Sequence, residues 1–434
     1  MFILGMVHLL LSEEAFMENG ISSVTHVELL QLEKLAKVAL QVGVHIQEGQ
    51  HLILMAPVGA LPLVRLITKH AYILGAGLVS VFYKDNESTL MRYKYGADYV
   101  FDTAADWFCE GLAKAYSSNT ALLSISGDDP LLLINEDPDK ISRVNQAYLK
   151  AYKPALERIS NFDINWSIVP YPSCEWAKIV YPNYPVPIAV AKLANTIFAV
   201  SRANCVDPIA AWAEHNNFLH QKAQWLNQKD FAEIRFSGPN TSLKVGLADG
   251  HQWSAGSSVA QNGVICNPNI PTEEVFTTPH AKKVDGYVTS TKPLVYQGVL
   301  IDDIRVRFEK GHVVEASASK GEEMLNKIFD IDEGARRLGE VALVPHSSIL
   351  SKMDTLFYDT LFDENAASHI AFGQCYSKCL KKPANASGNW VEEQGGNSSI
   401  AHVDWMIGSG DMDVDGFTKN GALVPVMRGG EWIF

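Results

Sequence analysis

A histidine and an aspartate two residues apart, in a run apolar enough to be a strand, form a metal-gripping pattern. The run is Ile400-Ala401-His402-Val403-Asp404-Trp405-Met406-Ile407. Strand side chains alternate between faces, so His402 and Asp404 project to one side and Val403, Trp405 and Ile407 to the other. An imidazole nitrogen and a carboxylate oxygen on one face can hold one divalent cation. The alternative is a core histidine whose ring N–H is satisfied by a neighbour, and the pair alone leaves both readings open.

Three more segments carry chemistry-bearing residues. In Phe362-Asp363-Glu364-Asn365-Ala366-Ala367-Ser368-His369-Ile370-Ala371-Phe372-Gly373 the polar trio Asp363-Glu364-Asn365 reads as a helix N-cap cluster. His369 and Tyr376, seven apart, would share one face if the segment is helical. Glu364 and His369 converge only if the backbone between them is not regular helix. The tandem acids Glu273-Glu274, between Pro271 and Val275-Phe276, tend towards burial and then need partners; one exposed and one salt-bridged Glu is the alternative. Glu340, leading into an apolar run, reads singly as a solvated helix end.

The elements that must position these residues alternate in the first half. Helical spacing of apolar residues over 27–44 precedes a strand over 50–56, a helix over 62–74 and a strand over 78–83. Further strands are predicted over 121–126 and 166–171, with helix over 140–159 between them. Alternating strands and helices point to an α/β fold with a mostly parallel sheet. After about residue 228 the texture changes. Residues 231–236 and 243–247 flank a Pro239-Asn240 turn, and 303–309 turns at Lys310-Gly311 into Val313-Val314. These predict antiparallel hairpins. The expected organisation is a possible dispensable extension over 1–16, an α/β domain over 17–230 and an α+β metal-binding catalytic domain over 231–434.

Composition narrows the function classes. The chain has 434 residues, 47% hydrophobic and 20% charged, with a formal net charge of −13. An acidic chain is a poor phosphate-backbone binder, so nucleic acid is excluded as a general partner. No segment reaches the ~18 apolar residues of a membrane span. Six dispersed cysteines without a C-x-x-C pair predict reduced thiols in a cytoplasmic protein. The opening MFILGMVHLLLSEEAF lacks the basic start and small-residue cleavage site of an export signal. Gly75-x-Gly77 follows a helix and lacks a third glycine, which excludes a dinucleotide fingerprint. Asp411-Met412-Asp413-Val414-Asp415-Gly416 opens like an EF-hand loop, but Ala422 occupies the position of its bidentate Glu, so an acidic turn is expected.

In combination, five stretches resemble the aminopeptidase T family of thermophilic-type metallo-aminopeptidases, which includes the staphylococcal AmpS enzymes. They are NIPTEEVFTTP (269–279), GVLIDDIRVRFEKGHVVEASASKGEE (298–323), LGEVALV (338–344), DTLFDENAASHIAFGQCY (359–376) and NSSIAHVDWMIGS (397–409). The resemblance covers most of the chain and is looser in the first half. It implies a homodimeric exopeptidase of two α/β-type domains, with the active site in the C-terminal one and peptides with a free N-terminus as substrates. Carried over by motif, Glu274, Glu340, Glu364, His369, His402 and Asp404 would ligate two divalent metal ions (zinc, cobalt or manganese), and Tyr376 would be the catalytic tyrosine. Within that scheme Glu340 is the expected bridge, Tyr376 the oxyanion donor and Glu273 a proton shuttle. Another binuclear amidohydrolase, such as a dipeptidase or deacylase, and a non-catalytic small-ligand binder are the rival readings.

Overall fold

The computed structural model describes residues 26–386 and 388–434. The possible extension over 1–16 and the first residues of the expected 17–230 domain lie outside the described residues.

Four strands, β1 (His51–Pro57), β2 (Val79–Lys84), β3 (Thr120–Ser126) and β4 (Trp166–Pro170), form a sheet in the order β2-β1-β3-β4. Every neighbouring pair is parallel. A parallel sheet is covered on both faces, and β1 shows why its residues are apolar without alternation. Leu52, Leu54 and Ala56 enter the core on one side, and Ile53 enters the core on the other. Helices Leu61–Ile73, Asn86–Tyr95, Asp106–Ala115 and Pro138–Ser160 supply the crossovers. The helix His26–Val38 leads in, ending in a π-turn over Ala39–Gly43. Three more helices follow β4, the last being Pro208–Lys229. Asp230, at a left-handed φ of 46°, stops that helix, and strand Phe231–Gly238 begins at the next residue.

Beyond Asp230 the chain is mostly antiparallel sheet. The expected hairpins appear as Phe231–Gly238 with Thr241–Leu247, and Arg305–Glu309 with His312–Ser317. They belong to an eight-stranded sheet. A second sheet runs Ser254–Ala255, Val275–Thr277, Leu338–Leu343, His369–Gly373 and His402–Met406 in that spatial order, all antiparallel. The two sheets share one core: Phe236, Val245 and Phe308 of the larger meet Val341, Phe372 and Trp405 of the smaller. Asp413–Thr418 is a strand, not the expected acidic turn, and Arg428 pairs with Asp415 at 2.6 Å and with Asp413 at 3.8 Å.

The halves are joined at two seams. Residues 267–270 run beside β4: the Ile168 N–H donates to the Pro268 carbonyl at 2.7 Å, and the Ile270 N–H donates back to the Ile168 carbonyl at 3.0 Å. The second seam is the stretch from Ile349 to Ala366. Leu350, Phe357, Phe362 and Ala366 are buried in the core of the first half, where Trp176 meets Phe362 edge-on at 5.2 Å. Among the described residues no helix is long and apolar enough to cross a membrane.

Candidate metal centre

Register explains how the smaller sheet gathers its polar residues. Glu340 pairs with Ala371, and Ala371 pairs with Asp404, so these three side chains stand in one row on one face. His369 and His402 lie two residues before Ala371 and Asp404, on the same face. The residues that alternate with them in the pleat, Val341, Ile370, Phe372, Val403 and Trp405, build the core behind. Hydrophobic packing of one face thus forces the ligand-type residues onto the other. Ala371 sits between two carboxylates with only a methyl group, which leaves room in front of the sheet.

Glu340 is therefore not a solvated helix end. It is buried within a strand whose six residues are all buried. His369 and Tyr376 do not share a helix face either: His369 starts a strand that ends at Gly373, whose φ is 97°. A Cβ at Gly373 would lie 2.1 Å from the Ala401 carbonyl oxygen, so glycine is required for the close approach. The chain then turns, and the Tyr376 ring comes to 4.9 Å from the His402 ring. The expected N-cap cluster also resolves differently. Asp359 precedes the short helix Thr360–Asp363, and Asp363 at its end accepts from the Phe357 and Asp359 N–H groups. Glu364 opens the following single 3₁₀ turn.

Two ligand triads result, each with atoms within 4.8 Å of one another: Glu274, Glu340 and His369, and Glu340, His402 and Asp404. His369 Nε2 lies 3.2 Å from Glu274 and 3.7 Å from Glu340. His402 Nε2 lies 3.6 Å from Glu340 and 3.3 Å from Asp404. Glu340 belongs to both. Glu364 shares no triad, but the charges of Asp404, Glu274, His369 and Glu340 all reach it.

These residues fit a metal. His369 Nδ1 is 3.1 Å from the Ala367 carbonyl, and His402 Nδ1 is 2.7 Å from the Gln374 carbonyl. A carbonyl only accepts, so Nδ1 must carry the proton and the Nε2 lone pair of each neutral ring faces the carboxylates. Asp404 Oδ1 is buried and accepts no hydrogen bond. Lone pair against lone pair in a buried site requires a cation or added protons.

Titration behaviour follows the same logic. Burial pushes the Glu340 carboxyl up to about 7, with the His369 hydrogen bond opposing and the Glu274 and Asp404 charges adding. Burial, then Asp404 and Glu274, hold Glu364 well above the carboxylate range. Burial alone would lower both imidazoles, but the carboxylates reverse it, and His402 reaches about 10, chiefly through Asp404. Glu274 and Glu340 carry His369 well above its usual value. Burial would raise Asp404, yet His402 keeps it below its ordinary value. Desolvation, then the carboxylates led by Glu340, keep the Tyr376 phenol protonated.

Glu273 is not brought into this cluster. Its carboxylate turns the other way, 3.0 Å from Arg202 and 3.7 Å from His215, both on the first half of the chain. Burial lowers the His215 pKa despite that carboxylate. Local patterning offered no sign of Arg202 and His215, because their partner is 71 and 58 residues further along the chain.

Comparisons with known proteins agree with this architecture. The chain is 48% identical over 402 residues to Aminopeptidase T of Thermus thermophilus, covering 93% of this chain and 98% of that protein. Identity is 41% over 407 residues to Aminopeptidase 2 of Geobacillus stearothermophilus and 37% over 404 residues to Aminopeptidase AmpS of Bacillus subtilis, with the same coverages. The solved structure of wild-type AmpT from Thermus thermophilus superposes with a TM-score of 0.88 at 46% identity, over 93% of this chain and 99% of that one. Residues 30–432 match the family described as thermophilic metalloprotease (M29), and the chain belongs to that family.

Proposed function

We propose that this protein is a metal-dependent aminopeptidase that removes the first residue of peptides with a free N-terminus, using two divalent ions. The observation that carries the reading is Glu340, buried and common to two triads that each offer a histidine nitrogen and a second carboxylate. Glu340 would bridge, with Glu274 and His369 on one side and His402 and Asp404 on the other; Glu364 completes the donor set. Bound there, zinc, cobalt or manganese would supply an acidified water and polarise the scissile carbonyl.

The chain's own residues do the rest. The paired Nδ1–H groups fix both imidazoles so that Nε2 cannot rotate away. Tyr376, kept protonated, donates its phenolic hydrogen to the oxyanion that develops at the attacked carbonyl. Glu273, the expected proton shuttle, turns instead to Arg202 and His215, away from the metal-binding cluster. The six free thiols suit the cytoplasm, and we assign the protein there as a homodimer.

The test is hydrolysis of an aminoacyl anilide by purified protein before and after exhaustive chelation. Activity should vanish and return with a divalent metal, and N-acetylation of the substrate should abolish it. Turnover that survives full chelation would sink the reading; retained activity on acetylated substrates would favour a deacylase. Near two bound ions per chain are expected, and none would favour a non-catalytic binder.

A further inference from the structure

Glu273 and Glu274 are neighbours whose side chains part company across the boundary between the halves. Glu274 faces His369 in the metal-binding cluster, while Glu273 faces Arg202 and His215. All three members of the Glu273 group are largely enclosed: the side chains of Arg202, Glu273 and His215 are 12%, 8% and 10% exposed. A buried ion pair of this kind fixes geometry because breaking it strands a charge.

The group is itself rigidly held. Arg202 stands at a left-handed φ of 58°. Its Nη1 donates to the Val200 carbonyl at 3.0 Å, and its guanidinium lies 4.8 Å from the Trp212 ring centroid. His215 Nε2 lies 2.8 Å from the Thr272 carbonyl, gripping the backbone just before the tandem acids. The Glu273 N–H donates to Asn365 Oδ1 at 2.7 Å, and Asn365 directly follows Glu364. One backbone unit is thereby tied to a helix of the first half, to the turn that precedes it and to the turn that carries another ligand.

We propose that Arg202, acting with His215 and Asn365 through Glu273, is a positioning residue for the metal centre: it sets the direction in which Glu274 presents its carboxylate. The proposal rests on the reading of Glu274 as a metal ligand. The Arg202 guanidinium contacts Glu273, the Val200 carbonyl and the Trp212 ring rather than any of the ligand-type side chains. Its planar fork on Trp212 cannot be reproduced by the single point charge of a lysine.

The experiment is a Co²⁺ titration of the chelator-treated full-length protein, followed by visible absorption and calorimetry. Wild type is compared with Arg202→Met, Arg202→Lys, the double variant Arg202→Met/Glu273→Met, and Glu274→Gln. Arg202→Met should weaken one of two Co²⁺ ions roughly 10–100-fold and alter its absorption band, leaving the other unchanged. Arg202→Lys should recover part of that loss. The double variant, which leaves no unpaired buried charge, should show the same selective weakening and decides the matter if Arg202→Met does not fold. Wild-type titration by the Arg202 variants, with one ion lost in Glu274→Gln, would overturn the positioning role and leave the ligand reading standing. Equal weakening of both ions would overturn it as well. Wild-type titration by Glu274→Gln would remove the ligand reading, and this proposal with it.

Discussion

Metal affinity should depend steeply on pH, with a slope the structure specifies. A ligating imidazole must be unprotonated, yet in the metal-free centre the neighbouring carboxylates raise the His402 pKa to about 10. At about pH 7 only roughly one His402 in a thousand is free, a cost of about 4 kcal/mol against ligation at about pH 10. His369, also raised, adds to the same trend. The logarithm of the association constant should therefore climb by at least about one unit per pH unit between about pH 7 and 9. Below about 7 the slope should steepen, because Glu340, with a pKa of about 7, also takes up a proton. The sign for the metal-free fold is opposite. A raised histidine pKa contributes stability that is complete below its unfolded value and is lost as pH rises through about 10. The metal-free protein should thus melt earlier in alkali while the loaded protein does not. Competition against a chromophoric chelator of known protonation gives the affinities. His402→Gln should lower affinity and flatten the slope by about one unit. An affinity that stays level from about pH 7 to 9 would refute this charge arrangement.

Other outcomes follow from single contacts. Ala371→Leu fills the gap between Glu340 and Asp404 and should abolish metal uptake with the far-ultraviolet circular dichroism unchanged; wild-type metal content would show that the gap is not where ions sit. Tyr376→Phe should lower kcat about 10²–10³-fold with metal content intact, the usual loss for one oxyanion donor, read from steady-state kinetics. Trp176→Phe removes the indole donor to the Phe357 carbonyl and should destabilise the fold by about 1–3 kcal/mol, measured by urea unfolding.

The legible parts of the sequence were those governed by short-range periodicity. β1 to β4, their helices and the later hairpins follow from apolar spacing and turn residues. His402 and Asp404 needed only the two-residue repeat of a strand. Glu340 was locally illegible because its burial comes from strands on both sides, which no window around residue 340 contains. The stretch from His369 to Gly373 is a short apolar run that periodicity alone cannot divide between helix and strand. Asp363 and Asn365 look like caps by type, but their hydrogen bonds go to Phe357, Asp359 and Glu273. For Arg202 there was no local signal, since a lone arginine after an apolar helix commonly faces solvent.

The two seams bear on how this fold could be recombined. Every proposed ligand comes from beyond residue 270, so a chimera joined near Asp230 would inherit the full donor set from one parent. Yet residues 267–270 lie beside β4, and the stretch before Glu364 packs around Trp176. Both would then be seated by the other parent. Such a hybrid could fold and still aim two carboxylates wrongly, failing in chemistry rather than in stability. The halves of this protein are therefore matched pieces, and exchange between relatives has to carry Trp176, Arg202 and His215 along with the metal-binding half.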